Sequence, residues 1–245
     1  MTRERGTVLA AIVIAIGVAS VPALAEPVSP RELDGLLQAL SDPDPMVRGA
    51  AGKALRELGS DAAPAIPFLI GALSDPLVPV RSSAAAALGG IGAPAAPAVP
   101  ALVAALGDPH RFVRSHAAMA LAEIGEPARE AAPALARMLA TDTENLRGRA
   151  WCAGALAKIG APADLAVPAL VAALRDPSDE VRSVAVLSLE QYPEAADRSR
   201  AALREAVRDA HWKVRGNAAC ALGKLDASDA GVVALGAALR DVTPY

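Results

Sequence analysis

Three histidines and two cysteines are the residues of this sequence best suited to bind a metal or attack a substrate, and their spacing argues against both. Nucleophilic catalysis needs a nucleophile, a base and a group that orients the base. No Gly-x-Ser-x-Gly, His-Glu-x-x-His, Walker or dinucleotide-binding pattern occurs. His110 and His211 hold equivalent places in an internal repeat, three repeats apart. At roughly 8–10 Å per packed helix layer they cannot share a metal ion. Cys152 and Cys220 fall two repeats apart, roughly 20 Å, well beyond disulfide reach. Carboxylates are plentiful, but most belong to turns or exposed positions, and no pair stands out for acid–base work. The expectation is a protein without catalytic residues, metal or cofactor, carrying two free thiols.

Other side chains suit contact better than catalysis. His110-Arg111-Phe112 and His211-Trp212-Lys213 each combine an aromatic ring with a cation. His116 and Trp151 stand at a repeat position held by Ala50, Ser83, Val184 and Asn217 in the other copies. Trp and Arg are frequent anchors of protein interfaces. Arg111, Phe112, His116, Trp151, Trp212 and Lys213 are therefore the candidate partner-binding residues. The competing reading is that Trp151 and Trp212 fill packing gaps among the alanines.

The elements that must position these residues follow from the repeat itself. Asp42-Pro-Asp-Pro-Met-Val-Arg48, Asp75-Pro-Leu-Val-Pro-Val-Arg81, Asp108-Pro-His-Arg-Phe-Val-Arg114, Asp176-Pro-Ser-Asp-Glu-Val-Arg182 and Asp209-Ala-His-Trp-Lys-Val-Arg215 align without gaps. A sixth copy, Thr141 to Arg149, is irregular. Its anchor is Arg149, because Leu156 follows seven residues later, as Leu55, Leu88, Leu121, Leu189 and Leu222 follow their arginines. The arginines then recur at intervals of 33, 33, 35, 33 and 33 residues. Counted from each Arg, apolar residues fall at −1, +2 or +3, +6, +7 and +10, the period of a helix with one buried stripe. The Asp before Pro reads as an N-cap. Gly59, Gly92, Gly125 and Gly160, at +11, read as helix stops. A shorter helix fills the space before the next Asp, with Pro67, Pro100, Pro133 and Pro168 expected in its first turn, where proline costs little.

Asp-Pro-x-x-x-Val-Arg, together with Ile-Gly-Ala-Pro-Ala-Ala-Pro-Ala-Val-Pro-Ala-Leu (91–102), resembles HEAT repeats, most nearly the subgroup named for phycobilisome bilin lyases. The likeness spans about residues 30–240. It implies an all-α, right-handed α-solenoid of about six helical pairs, with Asp229 to Arg240 as a C-terminal half-repeat. It also implies that the recurrent Asp and Arg form a ladder tying each turn to the next. The ladder residues would be Asp42, Arg48, Asp75, Arg81, Asp108, Arg114, Arg149, Asp176, Arg182, Asp209 and Arg215. In the fourth repeat two residues are added and Gly148 replaces the usual Val, so the array is expected to bend or loosen there.

Residues 1–25 differ from the rest. Arg3 and Arg5 precede an uncharged, mostly apolar run from Gly6, which ends in Ala23-Leu24-Ala25 ahead of Glu26. Positive start, apolar middle and small-x-small end describe a secretory signal peptide, removed before Glu26. The alternative is a retained membrane anchor, since 20 uncharged residues are just long enough to span. Residues 26–245 would form the repeat domain. Without residues 1–25 the chain has 22 basic and 26 acidic residues, a net charge of −4, which excludes the basic footprint of a nucleic-acid or anionic-membrane binder. The expected protein is an exported, monomeric scaffold, periplasmic or secreted, whose partner is another protein or a peptide. A bilin-lyase-type module and a purely structural envelope component are the alternatives; an export signal argues against the first.

Overall fold

The computed structural model describes residues 30–225, so the expected signal peptide and C-terminal half-repeat lie outside the described residues. Among the described residues there are α-helices and short 3-10 turns, without a strand. No helix there is long and apolar enough to cross a membrane. The chain divides into two compact units between Ala131 and Ala132. The first contains α1 (Pro30–Ala39), α2 (Pro45–Leu58), α3 (Ile66–Ala72), α4 (Val78–Ile91), α5 (Val99–Ala105) and α6 (Arg111–Ile124). The second contains α7 (Ala132–Thr141), α8 (Leu146–Lys158), α9 (Ala163–Ala173), α10 (Asp179–Leu189), α11 (Ala196–Ala206) and α12 (Trp212–Leu225). Each unit is a stack of helical pairs, the α-solenoid architecture expected from the repeat.

Within the first unit α2 packs on α4 and α4 on α6; within the second α8 packs on α10 and α10 on α12. The leucine seven residues after each Arg is fully buried: Leu55, Leu88, Leu121, Leu156, Leu189 and Leu222. Each such side chain contributes roughly 1.5–3 kcal/mol of burial free energy. Small residues at +3 and +6 let the backbones approach. At Gly89 of α4 an added Cβ would stand 2.9 Å from the Ala120 Cα of α6. The helix stops are glycines for a conformational reason. Gly59, Gly92, Gly125 and Gly160 have φ between 61 and 76°, a region that L side chains rarely adopt.

The turn departs from expectation in one respect. Asp42, Asp75, Asp108, Asp176 and Asp209 are not N-caps, because their helices begin three residues later. Each carboxylate instead accepts the backbone N–H two residues on: Asp44, Leu77, His110, Ser178 or His211, at 2.7–2.8 Å. The N-cap position falls to the residue that donates this N–H. Asp44 accepts from Met46 N and the His110 ring from Phe112 N. Pro67, Pro100 and Pro133 take the second position of their helices, but Pro168 lies inside α9. In the first two copies another proline, Pro64 or Pro97, stands three residues earlier, inside a 3-10 turn. Before Pro168 the α-helix already begins at Ala163, and the residue three earlier, Leu165, donates its N–H to Pro162 O at 2.9 Å.

In Asp75, Asp108, Asp176 and Asp209 the other carboxylate oxygen completes the ladder, whereas Asp42 has no preceding ladder arginine. Arg48 pairs with Asp75, Arg81 with Asp108, Arg149 with Asp176 and Arg182 with Asp209, each Nε–Oδ2 distance being 2.7 Å. The second guanidinium nitrogen bonds the same carboxylate at 2.8–3.3 Å. The third donates backward, to backbone carbonyls of its own turn. Arg114 and Arg215 make this backward contact too, on the carbonyls of Asp108 and Pro109 and of Asp209 and Ala210.

In the irregular copy Arg149 reaches the carbonyls of Asp142 and Thr143 and takes the ladder place. The turn itself is tied together rather than loose. Asn145, buried, accepts the Gly148 N–H at 3.0 Å and donates to Asp142. Gly148 is small because a Cβ would meet Asn145 Nδ2 at 2.4 Å and Met138 Cε at 2.5 Å. A valine, as in the other copies, has no room there.

Burial alone would raise the carboxyls of Asp75 and Asp108, but the preceding arginine and a backbone N–H outweigh it and hold both below the ordinary value of 3.8. Arg182 holds Asp209 below that value as well, against burial. A carboxylate depressed on folding adds stability above its unfolded pKa and loses it as pH falls through the folded one. The melting temperature is therefore expected to hold from pH 7 to about 4 and to fall steeply below. Replacing Asp75, Asp108 and Asp209 by Asn should flatten that acid limb while lowering the neutral-pH value. Equal acid slopes in the two proteins would show that the ladder does not govern acid unfolding.

Candidate interaction site

In the first unit Arg111 and Phe112 form the first turn of α6. Phe112 is 51% exposed. The Arg111 guanidinium stands 5.2 Å from its ring centroid, and the His110 imidazole meets it edge-on at 5.2 Å. Trp212 and Lys213 repeat the device at the start of α12 in the second unit. Trp212 is 57% exposed, with Lys213 Nζ 5.6 Å from its ring and His211 stacked at 6.1 Å. His211 Nε2 also faces Asp179 Oδ2 at 3.3 Å. Both triplets put an exposed ring beside a cation at the ladder edge. An exposed Trp212 does not fill a packing gap.

His116 lies further along α6, partly buried, with its Nδ1 2.6 Å from Ser82 Oγ on α4. Trp151 is partly buried on α8 in the second unit. It shares that unit's repeat-facing surface with Gly154, Val184 and Leu187. An added Cβ at Gly154 would touch Val184 Cγ1 at 3.5 Å, and Leu187 is 47% exposed. This gives the second unit an apolar strip on α8 and α10. Asn217 and Cys220 on α12 continue the register.

Three features were not anticipated from sequence. Ser82–His116 and Asn217–Ser183, the latter 2.9 Å, are the same contact in two units, each joining position +1 of one repeat to +2 of the next. Their common separation of 34 residues, one more than the repeat, is the signal that would have found them. Tyr192 is buried where other copies have Ile or Leu, and its hydroxyl donates to Leu156 O at 2.7 Å. Leu187 was hidden by its neighbours: it sits in an apolar run, Val184 to Leu189, whose period does not reveal which side is exposed.

Both cysteines are free, Cys152 buried on α8 and Cys220 exposed on α12. Burial pushes the Cys152 thiol well above its ordinary range, so it stays protonated at neutral pH. One equivalent of a thiol reagent is expected to label the native protein, at Cys220, and a second only on denaturation. Peptide mapping checks this; labelling of Cys152 in the native state would contradict the burial described here.

Among the described residues no three His, Cys, Asp or Glu side chains gather as a metal cluster. The family model described as HEAT repeats matches residues 6–89, 66–157, 99–190 and 167–244. A search of curated proteins found no match. Among solved structures the chain is similar to a designed armadillo repeat protein in complex with peptide (KR)4, at 22% identity and a TM-score of 0.65, over 80% of this chain and 100% of that one. It is also similar to the complex of CpcE and CpcF of phycocyanin lyase from Nostoc sp. PCC7120, at 26% identity and a TM-score of 0.61, over 84% of this chain and 80% of that one. A second designed armadillo repeat protein aligns at 22% identity and a TM-score of 0.63, over 79% and 100% of the two chains. With the repeat, the ladder and the four overlapping matches in agreement, the chain belongs to the HEAT-repeat family.

Proposed function

We propose that this protein is an exported scaffold that binds another protein or a peptide and has no catalytic activity of its own. The observation that carries the reading is the division of labour within each repeat. The ladder and the leucines use the same residues in every copy, whereas the faces turned from the core differ from copy to copy. Repetition of this kind builds an extended surface on which only the outward residues specify a ligand. In the second unit those residues include Trp151, Val184 and Leu187, a ring and two branched side chains set among small neighbours. A large ring framed by small residues can be desolvated by a partner segment, the condition for an interface anchor. The likeness to a peptide-bound armadillo design supports the same reading, and the likeness to one bilin-lyase complex raises a lyase-associated role as the alternative.

Trp151→Ala is expected to weaken capture of the native partner, cross-linked in the exported fraction, by about 2 kcal/mol or more. Far-UV helicity and the unfolding midpoint should change little. A loss of stability typical of a core aromatic, about 3–5 kcal/mol, with unaltered partner capture would assign Trp151 to packing alone.

Export is supported by the three-part pattern of residues 1–25. The mature protein is expected to begin at Glu26, which intact-mass measurement of the native protein would show. A mature, membrane-associated form that retains Thr2 would replace the cleaved signal by an anchor.

A further inference from the structure

The first unit holds a groove of about 490 Å³ on the side of α2, α4 and α6, walled by Lys53, Arg56, Glu57, Ser82, Ser83 and His116. Its origin is a step in side-chain size. Lys53, Arg56 and Glu57 stand at +5, +8 and +9 of their repeat, and the next repeat has Ala86, Gly89 and Gly90 at those places. Of the three, Ala86 lines the groove, so the long side chains on α2 stand over a floor on α4 made of Ala86 and two serines, while Gly89 and Gly90 are small because Ala120 of α6 and the Arg56 backbone pack directly on them. The serines supply hydroxyls to that floor, and the hydrogen bond between Ser82 and His116 fixes its far wall.

The polar groups of the groove are unevenly satisfied. Arg48 and Arg81, the ladder arginines of the helices that wall the groove, are committed to Asp75 and Asp108. Lys53 and Arg56 are exposed and hold no ion pair among the described residues. Glu57 Oε2 is buried and accepts no hydrogen bond. Native proteins rarely leave such an acceptor unmet. The groove thus offers two cations that call for an anion and one carboxylate oxygen that calls for an N–H.

We propose that this groove binds an extended acidic peptide. A side-chain carboxylate of the peptide lies on Arg56 and Lys53, where a guanidinium can grip both of its oxygens. A backbone N–H of the same segment donates to Glu57 Oε2. The charge count selects the ligand. Two cations and one carboxylate leave a single net positive charge, which matches one carboxylate; a doubly charged phosphate would be set against Glu57. The need for an N–H selects a peptide over a free organic acid. The proposal rests on the scaffold reading in that its ligand is a polypeptide, but it uses none of the second unit's residues.

The test is calorimetric titration of the full-length chain with a ten-residue peptide of alternating Glu and Ala, and with its Gln–Ala counterpart. Saturable binding of the acidic peptide is expected, about tenfold or more weaker for the Gln counterpart and for the Lys53→Ser/Arg56→Ser variant. Glu57→Ala should weaken it about threefold or more, because the N–H then loses its acceptor. Glutarate, which has carboxylates and no N–H, should not displace the peptide at equal carboxylate concentration. Lys53 and Arg56 are exposed, so the double variant should keep its helicity, and circular dichroism verifies that. Equal affinity for the Gln peptide, an unchanged affinity in the double variant, tighter binding by Glu57→Ala, or equal competition by glutarate would each overturn the proposal. If no acidic peptide binds while Trp151→Ala still weakens partner capture, the groove assignment falls and the scaffold reading stands.

Discussion

One guanidinium, held between two consecutive turns, is the interaction on which the rest of this architecture depends. The Arg of each paired repeat grips the Asp of the next with two nitrogens and turns the third back onto carbonyls of its own turn. The Asp in turn accepts a backbone N–H and so folds the loop that delivers it. Exposed ion pairs are worth little, about 0–1 kcal/mol. These side chains are only 6–15% exposed, and removing one member of a buried pair costs about 3–5 kcal/mol. The gain from forming the pair is smaller than the penalty for misplacing it. The ladder therefore acts chiefly on register. A pair of helices shifted by one residue would strand a charge, whereas a shifted alanine stripe alone would lose little. Lysine could not substitute, since it lacks the planar fork that serves the carboxylate and the carbonyls together.

With register secured at the turns, the faces away from the core are released from structural duty, and the two units use that freedom differently. The first carries polar side chains over a floor of small residues. The second carries a ring and aliphatic groups among small residues, with Tyr192 securing the stack from within through Leu156 O. Both keep the hydrogen bond between position +1 of one repeat and +2 of the next, with His in one unit and Asn in the other. Each unit also carries an aromatic–cation triplet at its ladder edge, with Phe112 exposed beside its cation in the first and Trp212 in the second.

Helix identity, repeat length and the buried leucines were legible because periodicity and repetition reinforce one another; each copy is an independent reading of the same pattern. Even the displaced anchor at Arg149 could be placed, from its distance to Leu156. The turn was harder. Asp followed by Pro has the local signature of a cap, and only the three-dimensional path shows the carboxylate spent on the i+2 amide and a neighbouring arginine. Pro168 was misplaced for a similar reason: its helix starts at Ala163, earlier in the repeat than in the first three copies, and the proline alone does not mark that start. The aromatic candidates were visible as bulky exceptions in columns of small residues. The groove at Lys53 and Arg56 was not, because charged residues on a helix ordinarily read as a solvated face. What distinguishes them is the small size of the residues opposite, a property of the next repeat rather than of their own.

Gly148 shows how an array of this kind tolerates irregular spelling. An extra residue in the turn before Arg149 is absorbed by Asn145, which bridges the lengthened loop, and by the loss of a side chain where valine otherwise sits. Elsewhere the ladder links each repeat only to the next, at a constant interval of 27 residues between Arg and Asp. Cutting out 33 residues between the turns at Asp75 and Asp108 would bring Asp108 to the place that Asp75 held before Arg48. The shortened ladder would be unbroken, and a duplicated segment would extend it just as cleanly. The gene is thus divided, by the chemistry of its product, into cassettes, and the number of repeats becomes a quantity that recombination can adjust with the ladder left intact.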